Sequence, residues 1–252
     1  MSYGARNYTA PPPAYDSEAQ EPLMGQTGDD MFKETVANSS MEIRMQFVRK
    51  VYSILTAQIL STCVMSAIFM YNTSAKSWVQ SNIWALYTSM FATFGVLLLL
   101  FWKSRSAPLN YYLLAGFTLA EGYMVGTVVT FYEQTLVLQA LIITCGVFLA
   151  LTLFTLQSKW DFSGMGPILF ASLWVLILVG FVQIFFPFSE GIQLAIAFAG
   201  VIIFSGYVIF DTYLIFNRYS PEDYILASVS LYMDFINLFL RILQILSAMN
   251  RD

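Results

Sequence analysis

Four ionisable side chains lie in stretches that otherwise carry no charge: Glu121, Asp211, Asp234 and Arg241. A charge at mid-bilayer costs about 2.5–3.5 kcal/mol on insertion scales, so such residues face a bundle interior, pair with one another or line a water path. Two carboxyls brought within hydrogen-bond distance cannot both ionise easily, and they share a proton. Asp211 and Asp234 are the candidates for that chemistry, a proton-dependent latch between two helices. The plainer alternative is that each acid separately caps a backbone group or bonds a Ser or Thr. Glu121 stands beside Gly122-x-x-x-Gly126, a signature of close helix packing. It is either a pathway acid or a hydrogen-bonded packing residue. Arg241, near the far end of its run, is expected to snorkel to the interface.

The residues around Asp234 form a pattern. Ser230, Asp234, Asn237, Arg241 and Gln244 follow spacings of four, three, four and three, which is one stripe on a helix. The rest of that helix is Leu, Ile, Phe and Met. A helix with a polar seam belongs inside a bundle, so this last span is expected to be central and surrounded by the other six.

The elements that must position these residues follow from composition. Of 252 residues, 58% are hydrophobic and 11% charged, where a soluble domain carries about a quarter charged. The apolar runs are long and continuous rather than short and alternating, which predicts an all-α membrane protein and not a barrel. The spans are placed at 51–70, 83–102, 109–131, 135–156, 166–186, 192–215 and 224–246, each long enough to cross about 30 Å of hydrocarbon. The result is a seven-transmembrane-helix bundle over residues 41–252 with the seventh helix central. Helical rise puts Asp234 about 15 Å, Glu121 about 18 Å and Asp211 roughly 6–8 Å from one face. That face carries Arg44, Arg49, Lys50, Lys103, Arg105, Lys159 and Arg218, against Lys76 and Arg251 on the other. The excess of basic residues marks the cytosolic side and places the N-terminus there.

Residues 1–40 read as a disordered, Pro-rich, acidic cytosolic tail. Within it Pro12-Pro13-Ala14-Tyr15 has the PPxY form, whose polyproline II shape fits the aromatic groove of a WW domain. A WW-domain ubiquitin ligase is therefore a candidate partner through Pro12, Pro13 and Tyr15. The acidic balance excludes a nucleic-acid arm. The chain has no histidine, so histidine-based catalysis, pH sensing and metal binding are excluded, and Cys63 and Cys145 form no CxxC pair. No cleavable signal peptide is read ahead of the tail, and the first span is expected to serve as the targeting signal.

Six segments carry a resemblance to a known family. They are Phe47-Val48-Arg49-Lys50-Val51-Tyr52-Ser53-Ile54-Leu55, Gly116-Phe117-Thr118-Leu119-Ala120-Glu121, Leu156-Gln157-Ser158-Lys159-Trp160-Asp161-Phe162, Asp211-Thr212, Ser220-Pro221-Glu222-Asp223-Tyr224, and Ser230-Leu231-Tyr232-Met233-Asp234-Phe235-Ile236-Asn237-Leu238-Phe239. In order and spacing they resemble the transmembrane Bax inhibitor motif family, in particular its lifeguard branch. The resemblance implies a pH-sensitive calcium leak channel of intracellular membranes, acting in calcium homeostasis, the endoplasmic-reticulum stress response and cell death. It implies that Asp211 and Asp234 are the pH sensor and gate. It further implies that a basic residue at the end of the second span, Arg105 in preference to Lys103, contacts that pair. Glu121, Asn237 and Arg241 are further pathway or latch candidates.

Carboxylate oxygens attract hard cations, so Asp211 and Asp234 would also bind calcium weakly and transiently; no cofactor is expected and calcium is cargo. The alternative is a non-conducting interaction protein that acts through cell-death regulators. An intramembrane aspartyl protease is disfavoured, because Val208-Ile209-Phe210 precedes Asp211 where a GxGD context is required; the chain is not expected to be an enzyme. The endoplasmic-reticulum membrane is the expected location, with vacuolar, lysosomal or Golgi membranes as alternatives.

Overall fold

The computed structural model describes residues 35–250. The PPxY motif at Pro12, Pro13 and Tyr15, the rest of residues 1–34 and Arg251 lie outside the described residues. Eight α-helices follow one another: α1 (Met41–Tyr71), α2 (Thr73–Ser81), α3 (Ile83–Lys103), α4 (Leu109–Val129), α5 (Gln134–Gln157), α6 (Gly166–Phe185), α7 (Glu190–Asn217) and α8 (Tyr224–Met249). Among the described residues there is no strand. Seven of the helices, all except α2, are long and apolar enough to cross a membrane. The spans placed at 109–131 and 135–156 are separate helices, broken between Val129 and Gln134.

Local sequence accounts for the breaks. Asn72 ends α1, and its side-chain oxygen accepts a hydrogen bond from the Ala75 amide at 3.0 Å, so the same residue caps α2. Pro167 lies in the first turn of α6, where its missing N–H costs nothing. Polar residues inside the spans mostly bond their own helix. Thr118, Thr144 and Thr155 donate to the carbonyls four residues earlier at 2.7–2.8 Å, so few polar hydrogens face lipid.

Helix α8 is the most buried span. Ile225, Leu231, Tyr232, Leu238 and Leu243 along it are fully enclosed. Its main neighbours are α7, α5 and α1, with a smaller contact to α4. The expectation of six surrounding helices is thus corrected to four. Helix α3 packs on α4, and α6 packs on α7, outside the ring. The outer surface is apolar, with Phe91, Leu98, Ile142, Phe170 and Ile184 all exposed. That inversion suits lipid.

One boundary differs from the sequence reading. Val36–Asn38 form a short 3-10 turn, and Val36 is fully buried, donating its N–H to the Tyr219 carbonyl at 2.9 Å. The folded unit therefore begins before residue 41: Val36 fills an apolar gap under the α7–α8 loop that the helices alone leave open.

Candidate functional site at the α7–α8 contact

Asp211 comes from the last third of α7 and Asp234 from the first half of α8. The two helices are antiparallel and joined by the loop 218–223. Both side chains are buried, and their carboxyls lie within hydrogen-bonding range of one another. Ser230, one turn before Asp234 on the same stripe, reaches Asp211. Tyr207, one turn before Asp211, lies close to both acids. Asp234 Oδ2 has no hydrogen-bond partner among the described residues. No lysine or arginine of the described chain faces the pair.

Tyr219 completes the cluster from the loop, with its hydroxyl against Ser230. Burial first, and then the negative field of Asp211, push its phenol up to about 12. It therefore keeps its proton across the physiological range and remains a donor. The sequence carried little sign of Tyr219, eight positions beyond Asp211 in a loop. Its place follows from the loop folding back over the helix ends.

The basic residue implied to contact the pair does something else. Arg105, just beyond α3, donates from Nε to Asp223 Oδ1 at 2.8 Å and from Nη2 to Oδ2 at 2.9 Å. Asp223 precedes α8 and also accepts from the Ser220 amide at 3.3 Å. The guanidinium is half exposed (49%), because a fork-shaped charge finds a carboxylate at the wet rim at lower desolvation cost than one inside. Lys103 lies over the Trp102 ring, 4.9 Å from its centre. Neither cation is on Asp211 or Asp234.

The other candidates are likewise dispersed. Glu121 is buried on α4 near Tyr232, which points away from Asp234 on α8. The three acids therefore do not form one cluster. Gly122 and Gly126 do pack closely on α1: a Cβ on Gly122 would meet Met65 and Thr62 at 3.6 Å, and one on Gly126 would meet the Phe69 ring at 3.0 Å. Asn237 donates to the Met233 carbonyl of its own helix at 2.8 Å. Arg241 lies between α7 and α8 rather than at the lipid interface, and donates to Gln244 Oε1 at 3.1 Å.

A polar vestibule of about 390 Å³ opens at the basic end of the bundle, lined by Arg44, Thr155, Asp161, Thr212 and Asn217 among others. Thr212 follows Asp211 in the chain and is fully buried. Near it the hydroxyls of Tyr52, Thr152 and Thr212 are buried on α1, α5 and α7 without a hydrogen-bond partner among the described residues. Asp161 at the rim accepts from the Tyr213 hydroxyl at 2.6 Å, and this bond, with those from Ser163, holds its carboxyl down at about 2. No group of three or more metal-ligating side chains occurs among the described residues. The aspartate pair brings two carboxylates together, short of the six to eight oxygens calcium prefers.

The profile of a family described as "Inhibitor of apoptosis-promoting Bax1" matches residues 44–252. The chain belongs to the Bax inhibitor family. The match begins in the first turn of α1 and takes in the other six membrane-spanning helices and both aspartates. Among its Bax inhibitor relatives is "Bax inhibitor 1" of Schizosaccharomyces pombe, 46% identical over 248 residues, covering 98% of this chain and 93% of the relative. "Protein lifeguard 4" of Mus musculus is 44% identical over 236 residues, covering 94% of this chain and 99% of the relative. "Golgi anti-apoptotic protein" of vaccinia virus (strain Lister) is 44% identical over 223 residues, covering 88% and 94%.

Proposed function

We propose that this Bax inhibitor family member regulates cell death from an intracellular membrane and does so as a proton-controlled calcium leak. The observation that carries this is the buried contact between Asp211 and Asp234 across the antiparallel helices α7 and α8. With one proton shared, the two carboxyls hold α7 and α8 together. Without it, two like charges at close range in a medium of low dielectric repel. The helix contact then has two states that differ by one proton. Carboxylate oxygens with few fixed ligands bind calcium weakly enough to let it leave.

The names of the relatives support the cell-death role. The basic end, with Arg44, Lys103, Arg105, Lys159 and Arg218, is assigned to the cytosol by the excess of positive charge. The endoplasmic reticulum is the assigned membrane, and the viral relative's name favours the Golgi as the alternative.

The test is calcium flux into liposomes carrying the full chain. Wild type should conduct with a rate that changes with pH. Asp211→Asn/Asp234→Asn should lose that pH response. A double variant that keeps both the flux and its pH profile removes the latch. Wild type without flux would favour action through protein partners, with the PPxY segment as one handle.

A further inference from the structure

The vestibule at the basic end has a lining that the aspartate latch does not use. Three parts of the chain build it: the start of α1, the end of α5 with the segment that follows, and the end of α7. Arg44 and Lys159 are its cations. Arg44 is steadied by the Phe216 ring, with its guanidinium carbon 5.6 Å from the ring centre. Among the described residues neither cation has a carboxylate within salt-bridge distance. One acid shares the lining, Asp161. Its carboxyl already accepts from the Tyr213 hydroxyl at 2.6 Å and the Ser163 amide at 2.9 Å, and Arg218 lies close enough to offset its charge. Arg44 and Lys159 therefore leave the cavity with a positive surplus.

The lining also holds an idle hydrogen-bond donor. Thr212 is fully buried in it, and its Oγ1 has no hydrogen-bond partner among the described residues. A buried hydroxyl without a partner is costly, and a ligand oxygen placed there removes the cost. On its outer side the wall of the cavity reaches the membrane surface. Leu156 lies in the last turn of α5 and Trp160 just beyond that helix; both belong to the lining and both are exposed, Trp160 by 74%. A tryptophan at the end of a span sits at the level of the lipid headgroups.

We propose that this vestibule seats the phosphate of an anionic phospholipid from the leaflet at the basic end, with Arg44 and Lys159 supplying the charge and the Thr212 hydroxyl donating to a phosphate oxygen. The site goes beyond the leak and does not depend on it. Basic pockets between spans suit such headgroups. A guanidinium grips phosphate through parallel N–H bonds, and an ammonium adds a point charge. A choline headgroup carries its own cation beside the phosphate, which Arg44, Lys159 and Arg218 repel, so the cavity discriminates by net charge. A lipid suits it better than a free phosphate because the apolar wall at Leu156 and Trp160 lies where acyl chains begin. Seated there, the headgroup ties the ends of α1, α5 and α7 together.

The experiment is native mass spectrometry of the full chain in detergent, titrated with phosphatidylglycerol or phosphatidylcholine. Wild type should retain one phosphatidylglycerol at concentrations about tenfold below those needed for phosphatidylcholine. Arg44→Gln and Lys159→Gln should each weaken that first binding event about fivefold, the share of one cation. Thr212→Val, which keeps the shape and removes the donor, should weaken it about threefold. Arg49→Gln, which removes a charge from the same end outside the cavity, should stay within about twofold of wild type. Circular dichroism establishes that the variants fold. Equal affinity of wild type for the two lipids overturns the proposal whatever the variants do. A loss in Arg49→Gln as large as in Arg44→Gln would mean diffuse attraction to the basic end, and binding that Thr212→Val leaves unchanged would put the phosphate outside the cavity; either result overturns the seat. Displacement of phosphatidylglycerol by inorganic phosphate at equal concentration would assign the cavity to a free anion and overturn the lipid.

Discussion

The Tyr232 ring is fully buried on the face of α8 away from the aspartates, and its hydroxyl lies 2.7 Å from that of Thr62 on α1. Thr62 spends its own hydrogen on the Gln58 carbonyl at 3.0 Å, so Tyr232 is the donor of the pair. Tyr232→Phe removes that donor and leaves Thr62 bonded. Thermal unfolding in detergent should show a loss of about 1 kcal/mol; a loss several times larger would mean that the hydroxyl organises more than this contact. The seam residues Ser230, Asp234, Asn237, Arg241 and Gln244 were legible as a stripe because helical spacing is fixed. Their partners were not. Asn237 turns back to its own helix, Arg241 crosses to Gly200, and Arg105 takes an aspartate 118 positions away. Such choices depend on which backbone passes nearby, and spacing along one helix says nothing of that.

At the scale of elements, the α1–α4 contact turns on two glycines that differ. Gly122 faces side-chain and backbone atoms of α1 at 3.6 Å or more, ordinary van der Waals contact, whereas Gly126 faces the Phe69 ring at 3.0 Å. Gly122→Ala should therefore be neutral or slightly stabilising, since alanine favours the helix by up to about 1 kcal/mol. Gly126→Val should cost about 1–3 kcal/mol through overpacking against Phe69. Thermal unfolding of the two variants distinguishes them, and equal effects would contradict the geometry. The small-xxx-small pattern announced this face. The nine-residue helix α2 was not announced: Thr73–Ser81 is polar and short, and Asn72 reads equally well as a turn residue and as the cap it proves to be.

For the whole molecule, long apolar runs were enough to set seven spans, because a bilayer accepts little else. The central position of α8 followed from its polar seam. How many helices touch it did not, since that depends on which small residues let neighbours approach. The docking of Val36 beneath the α7–α8 loop was also hidden, as one buried valine in a polar segment carries no periodic signal. Together these features place a pair of acids where the 218–223 loop and two antiparallel helices meet, on the polar seam of α8. The central claim is that Asp211 and Asp234 share one proton that the membrane protein can lose. Infrared difference spectroscopy of the reconstituted chain, titrated with pH, reads protonated carboxyl groups directly. In a Glu121→Gln background, which removes the other buried acid, the account predicts a carboxylic-acid band that titrates in wild type and shifts in both frequency and midpoint in Asp211→Asn and in Asp234→Asn alike, because each replacement removes one half of the shared site. A band that survives unchanged in either variant would show that the two acids titrate independently, and would contradict the latch.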